Sequence, residues 1–92
     1  MILRSFFGTR EITCDNGQAA QLFYYLLREK SETYNSYGAE VIMKRGELWE
    51  SASVRNVTTS PARMEYMVEE LCRNTVTPCT LQEIILEELN KY

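Results

Sequence analysis

The stretch from Ser51 to Leu89, SASVRNVTTSPARMEYMVEELCRNTVTPCTLQEIILEEL, constrains the fold more than any other part of the chain. Ser60 is a helix N-cap with Pro61 at the first helical position, where a missing N–H costs nothing. Met64, Met67, Val68, Leu71 and Cys72 then recur at i, i+3, i+4, i+7 and i+8, a single apolar stripe. Glu65, Glu69, Glu70 and Arg73 lie opposite it, with Glu69 and Arg73 four residues apart as an ion pair requires. The spacing predicts a helix over 61–73, with Asn74 as a left-handed C-cap and Pro78 blocking continuation. A second helix over 81–89 follows, opened by Thr80 in a capping box with Glu83 and by Cys79 stapled onto Ile84. Its apolar residues Leu81, Ile84, Ile85, Leu86 and Leu89 span too wide an arc for one buried stripe. Either Ile84 or Leu86 is therefore expected at the surface.

Two amphipathic helices need an apolar surface to lie on, and the preceding residues supply it as strands. Tyr37–Arg45 and Glu47–Arg55 read as a hairpin turning at Arg45-Gly46. A two-residue loop there sets Lys44 against Glu47, Met43 against Leu48, Ile42 against Trp49 and Val41 against Glu50. One face of the pair then carries Tyr37, Ala39, Val41, Met43, Leu48, Ala52 and Val54, a core face. The other carries Ile42 beside Trp49, among Glu40, Lys44 and Ser51. Glu50 falls on the apolar side and Trp49 does not, against expectation for both. An unpaired buried carboxylate is costly, so Glu50 is expected at an edge where it reaches water, the alternative being a buried partner such as Arg55 or a Tyr hydroxyl. Upstream, Thr9 to Cys14 reads as a strand entering a type I′ turn at Asp15-Asn16-Gly17. Residues 1–8 (MILRSFFG) fit a short strand or a docked tail equally. The segment QAAQLFYYLLREK is ambiguous. Its Asp15/Gln18 capping box and the Ala19, Leu22, Phe23, Leu26 face slightly favour helix; its adjacent tyrosines and two apolar faces favour a central strand. Residues 31–36 are a polar loop.

Composition narrows the chemistry. Ninety-two residues make one domain, 1–92, with a single core. A formal charge of −3 with scattered Lys and Arg offers no footprint for nucleic acid. Asp15 is the only aspartate against twelve glutamates, so the clustered aspartates of a calcium loop are missing. Without histidine, the commonest general base and metal ligand is lacking. Cys14, Cys72 and Cys79 have neither disulfide-framework nor zinc spacing and suit a reducing compartment. The first residues lack the apolar core of a signal peptide, and the longest apolar run, Leu22 to Leu27, is far short of a membrane span. The expected location is the cytoplasm.

The blocks Tyr37-Gly38-Ala39-Glu40-Val41, Ser51-Ala52-Ser53-Val54, Val57-Thr58-Thr59-Ser60 and Asn74-Thr75-Val76-Thr77-Pro78 before Leu81 resemble a family of small bacterial proteins of unknown function. The likeness runs over roughly residues 9–89. It implies a strand for Leu22 to Arg28 and no activity. That family often carries a histidine two residues after the proline, where this chain has Thr80.

Other features have ordinary structural readings. Thr58-Thr59-Ser60 is a helix cap before it is an anion site, and Asn56-Val57-Thr58 is a chance sequon without a secretion signal. Glu69-Glu70 and Glu87-Glu88 point about 100° apart on a helix and converge on nothing. Tyr24, Tyr25 and Trp49 lack the basic neighbours of a base-stacking platform.

The expected architecture is α+β: an antiparallel sheet of about four strands with both C-terminal helices on one face. Ile42, Trp49 and one row from Leu22 to Leu27 then remain on the uncovered face, which only MILRSFFG or a second chain can cover. The candidate partner surface is Ile42, Trp49 and Leu86, and the candidate polar site is Glu50 with Cys79. Two readings compete. One is a non-enzymatic module that self-associates or binds a protein. The other is a ligand-binding or enzymatic protein with a pocket between sheet and helices. The residue inventory favours the first, with no cofactor, nucleic-acid or membrane partner expected.

Overall fold

The computed structural model describes residues 1–90. Four strands, β1 (Ile2–Thr13), β2 (Ala19–Lys30), β3 (Asn35–Arg45) and β4 (Leu48–Thr58), are followed by helix α1 (Pro61–Arg73), a 3₁₀ turn (Pro78–Thr80) and helix α2 (Leu81–Leu89). The strands form one antiparallel sheet in the order β1-β2-β3-β4, each paired with its sequence neighbour. Both helices pack on the same face, making the two-layer α+β architecture.

β2 is a strand throughout, against the slight helical periodicity. It is paired on both sides, so apolar side chains are required on both its faces. Ala20, Leu22 and Tyr24 point into the core, while Phe23, Tyr25 and Leu27 line the other face. Residues 2–8 are neither a tail nor a cover for that face; they extend β1 along the edge of the sheet. A bulge between Phe6 and Gly8 shifts the β1–β2 register at Phe7.

The turns explain two further differences. At Asp15-Asn16-Gly17 only Gly17 has positive φ, +84°, so the loop is not type I′. Cys14 N–H donates to Gln18 O and Gly17 N–H to Cys14 O, closing a three-residue loop of a turn plus one left-handed glycine. In the β3–β4 hairpin the loop is Gly46-Glu47 rather than Arg45-Gly46. Positive φ occurs at Gly46 (+58°) and not at Glu47, the pattern of a II′ turn, which wants glycine first. Lys44 therefore faces Trp49, Met43 faces Glu50 and Ile42 faces Ser51. Each partner has moved by two residues, an even slip that changes the pairs and leaves both faces as expected.

Toward its end β4 carries a second, larger irregularity. Tyr37 pairs with Thr58 but Ala39 with Val54, leaving Arg55, Asn56 and Val57 opposite Gly38. Asn56 is left-handed (φ +56°), and its Oδ1 accepts from Ser36 Oγ. The bulged chain runs so close that a Cβ on Gly38 would lie 2.1 Å from Val54 O, which only glycine permits.

α1 spans its expected residues, with Ser60 Oγ accepting from Arg63 N–H at 3.2 Å. The left-handed residue that closes it comes one position later than expected. Asn74 stays near the helical region (φ −93°), and Thr75 is the left-handed residue (φ +51°). Thr75 N–H donates to Cys72 O and Val76 N–H to Leu71 O, a Schellman closure that turns Val76 into the core. The capping box expected at α2 does not form. Thr80 belongs to the 3₁₀ turn, and its hydroxyl donates to Thr77 O instead of capping α2. The core lies between sheet and helices, filled by Leu22, Tyr24, Val41, Met64, Val68, Leu81 and Ile85.

Candidate functional site: the open face of the sheet

β2 and β3 alternate their side chains between the helix-covered face and a face that no described element covers. The register places Phe6 beside Tyr25 and, through Phe23 and Ile42, carries the apolar row across to Trp49 on β4. Phe6 meets Tyr25 edge to face with ring centroids 5.6 Å apart, and Phe23 stacks on Trp49 at 6.4 Å. Trp49 is 60% exposed and Phe6 58%, while Leu27 is covered by its neighbours to 6%.

Cations lie over this aromatic row. The Arg4 guanidinium sits 4.5 Å from the Tyr25 ring centroid and Lys44 Nζ 5.2 Å from that of Trp49. Arg4 also donates to Glu40 Oε1 at 2.9 Å, a contact that raises its pKa further above the ordinary arginine value. At the end of the face Arg55 grips Glu29 with two parallel hydrogen bonds of 3.0 and 2.8 Å. That fork holds the Glu29 carboxyl below its usual range. Strand parity and these contacts put Arg4, Lys44 and Arg55 on the face with Glu11, Glu29 and Glu40, so its charges balance.

The residues singled out from sequence are thus divided. Ile42 and Trp49 share the open face as diagonal rather than direct neighbours. Leu86 is half-exposed on α2, on the helix side of the sheet, and does not join them; Ile84 packs against the core. Arg4 and Phe6 belong to the face and were invisible while residues 1–8 had no assigned structure. The strand that the resemblance implies for Leu22 to Arg28 is present, and its pairing parity sets both residues on this face.

At the candidate polar site Glu50 takes the edge position expected for it, half-exposed and bonded to Arg45 Nη2; Arg55, the partner of the buried alternative, is engaged by Glu29. Cys79 is exposed, with its thiol 3.3 Å from Thr77 Oγ1. Among the described residues no buried side-chain N or O lacks a partner, and no three Cys, Asp or Glu residues are grouped to hold a metal. No described helix is long and apolar enough to cross a membrane.

A family of unknown function (DUF6514) matches residues 4–91. The chain belongs to it. The DUF6514 match takes in β1 from Arg4 onward, the other three strands and both helices. Comparison with curated proteins and with solved structures finds no match.

Proposed function

We propose that this chain is a non-enzymatic association module whose open sheet face receives a second copy of the same chain. The observation that carries the reading is the aromatic row from Phe6 to Trp49, presented on a face whose charges sum to zero in a chain of net charge −3. The excess negative charge lies elsewhere, so two such faces meet without net repulsion. A strongly acidic or basic partner has no such match. The area is adequate: the chain extends 47 × 29 × 17 Å, and a stable interface needs roughly 800 Å² per partner. The rival reading, a ligand pocket near Glu50 and Cys79, is disfavoured because Tyr24, Met64, Leu81 and Ile85 fill the space between sheet and helices.

The test is mass in solution by light scattering for the parent and for Trp49→Glu. Trp49 lies outside the core, so the variant is expected to fold. The parent should have twice the mass of the variant. Equal masses would rule out the face as the contact.

A further inference from the structure

We propose that the outer edge of β1 pairs antiparallel with β1 of a second copy, joining two four-stranded sheets into one of eight strands. The inference concerns a different surface from the open face and does not depend on it.

β1 is hydrogen-bonded on one side only, to β2. Its first half nevertheless has the side chains of an interior strand. Ile2 and Phe6 lie on the open face and Leu3 on the helix face, with Phe7 at the bulge; their exposures are 40, 58, 44 and 42%. Apolar residues on both faces are what a strand carries when it has neighbours on both edges. Edge strands of monomers are instead blunted with lysine, proline or inward charge, and Ile2–Phe7 has neither lysine nor proline. α1 leaves this half bare. It meets β1 farther along, where Cys72 Sγ lies 3.4 Å from the Cβ position of Gly8 and Arg10 Nη1 reaches Cys72 O.

The second copy is the partner because symmetry closes the contact. A two-fold axis normal to the sheet pairs β1 with β1 and leaves no free β1 edge, whereas β1 on β4 would repeat without end. β4 is also the poorer template, since its bulge leaves three residues opposite Gly38 where that of β1 adds only Phe7, and it carries Glu50, Ser51, Ser53 and Arg55. Under that axis opposed residues must share a face, so the centre falls on a residue or between alternate ones. Centring on Arg4 sets two guanidinium groups against each other, which is unfavourable. Centring on Ser5 sets Arg4 against Phe6 of the second copy, extending the contact that Arg4 already makes with the Tyr25 ring, and brings Leu3 to the Phe7 bulge. All helices then lie on one side of the joined sheet, and the two open faces form one surface on the other.

Trp49→Glu is the background for the test, since it removes the open-face contact whether or not that contact exists. In this background the chain should still have twice its 10.7 kDa mass, and adding Phe7→Lys should halve it. Ser5→Cys should form an inter-chain disulfide under mild oxidation, while Ser53→Cys on the opposite edge should not. A Trp49→Glu chain that is monomeric, or a dimer that survives Phe7→Lys and is not cross-linked at position 5, would overturn the proposal.

Discussion

Tyr24 is the residue whose chemistry is most tightly bound to the fold. It is fully buried, and its hydroxyl donates to Val76 O at 2.9 Å, joining the centre of β2 to the loop after α1. Burial pushes the phenol pKa well above its ordinary value, because a phenolate there would lose its hydration. The folded chain therefore holds this proton when the unfolded chain, ionising near pH ~10, has released it. The stabilisation is complete below that pH and is lost progressively above it, up to the raised pKa of the folded state. Tyr24→Phe is expected to cost about 1–2 kcal/mol at neutral pH, since Val76 O is left unpaired, and to flatten the alkaline decline. Urea midpoints at pH 7 and above pH 10 measure both, and an unchanged alkaline slope would count against this account. Thr75 supplies the opposite case. A β-branched residue held left-handed costs roughly 1–2 kcal/mol, so Thr75→Gly should raise the urea midpoint, by less than that because glycine also loosens the unfolded chain. A lower midpoint would mean that the threonine hydroxyl, bonded to Asn74 O, matters more than the strain.

At the scale of elements, α1 was the most legible part of the chain and β2 the least. The α1 stripe buries Met64, Met67, Val68 and Leu71, while Arg73 pairs with Glu69 and Glu70 on the outer side. Leu71 is 3% exposed, and its carbonyl receives the Val76 N–H of the Schellman closure. Leu71→Ala should cost about 2–5 kcal/mol by emptying the stripe's centre, read as a lowered midpoint in denaturant. A midpoint equal to the parent's would show that the stripe is not buried. β2 resists the same treatment because its residues Leu22 to Leu27 are all apolar. A run without alternation fits a buried strand or a buried helix equally, and only the partners on either side decide between them.

The whole molecule is a long, thin slab, 47 × 29 × 17 Å, because twelve-residue strands reach about 40 Å while two short helices cover only part of one face. That mismatch of length leaves both the open face and the first half of β1 in water. The two proposed associations alter the slab differently. Stacking on the open face sets a second slab across a sheet-to-sheet spacing of roughly 10 Å and more than doubles the 17 Å thickness, whereas pairing at β1 widens the sheet by four strands of about 4.8 Å each. Small-angle scattering on Trp49→Glu should therefore show a flat, widened particle with a radius of gyration well above the 13.5 Å of the single chain. A compact, thickened particle would speak against the edge.

Local chemistry determined much of this fold from sequence alone. The Ser60-Pro61 cap, the α1 stripe, the stop at Pro78 and the alternation of Tyr37 to Met43 are written in residues within a turn or two of one another. They placed the helices, the faces of β3 and β4, and the open position of Ile42 and Trp49. Tertiary structure decided what depends on residues far apart. The strand state of β2 needs β1 and β3 beside it, and the edge role of residues 2–8 follows from β2. Which of the two settings Glu50 takes, open edge or buried pair, is decided in the same way. Its face was read correctly, but a face is apolar only where something covers it, and at the end of the β3–β4 hairpin the carboxylate reaches water and Arg45.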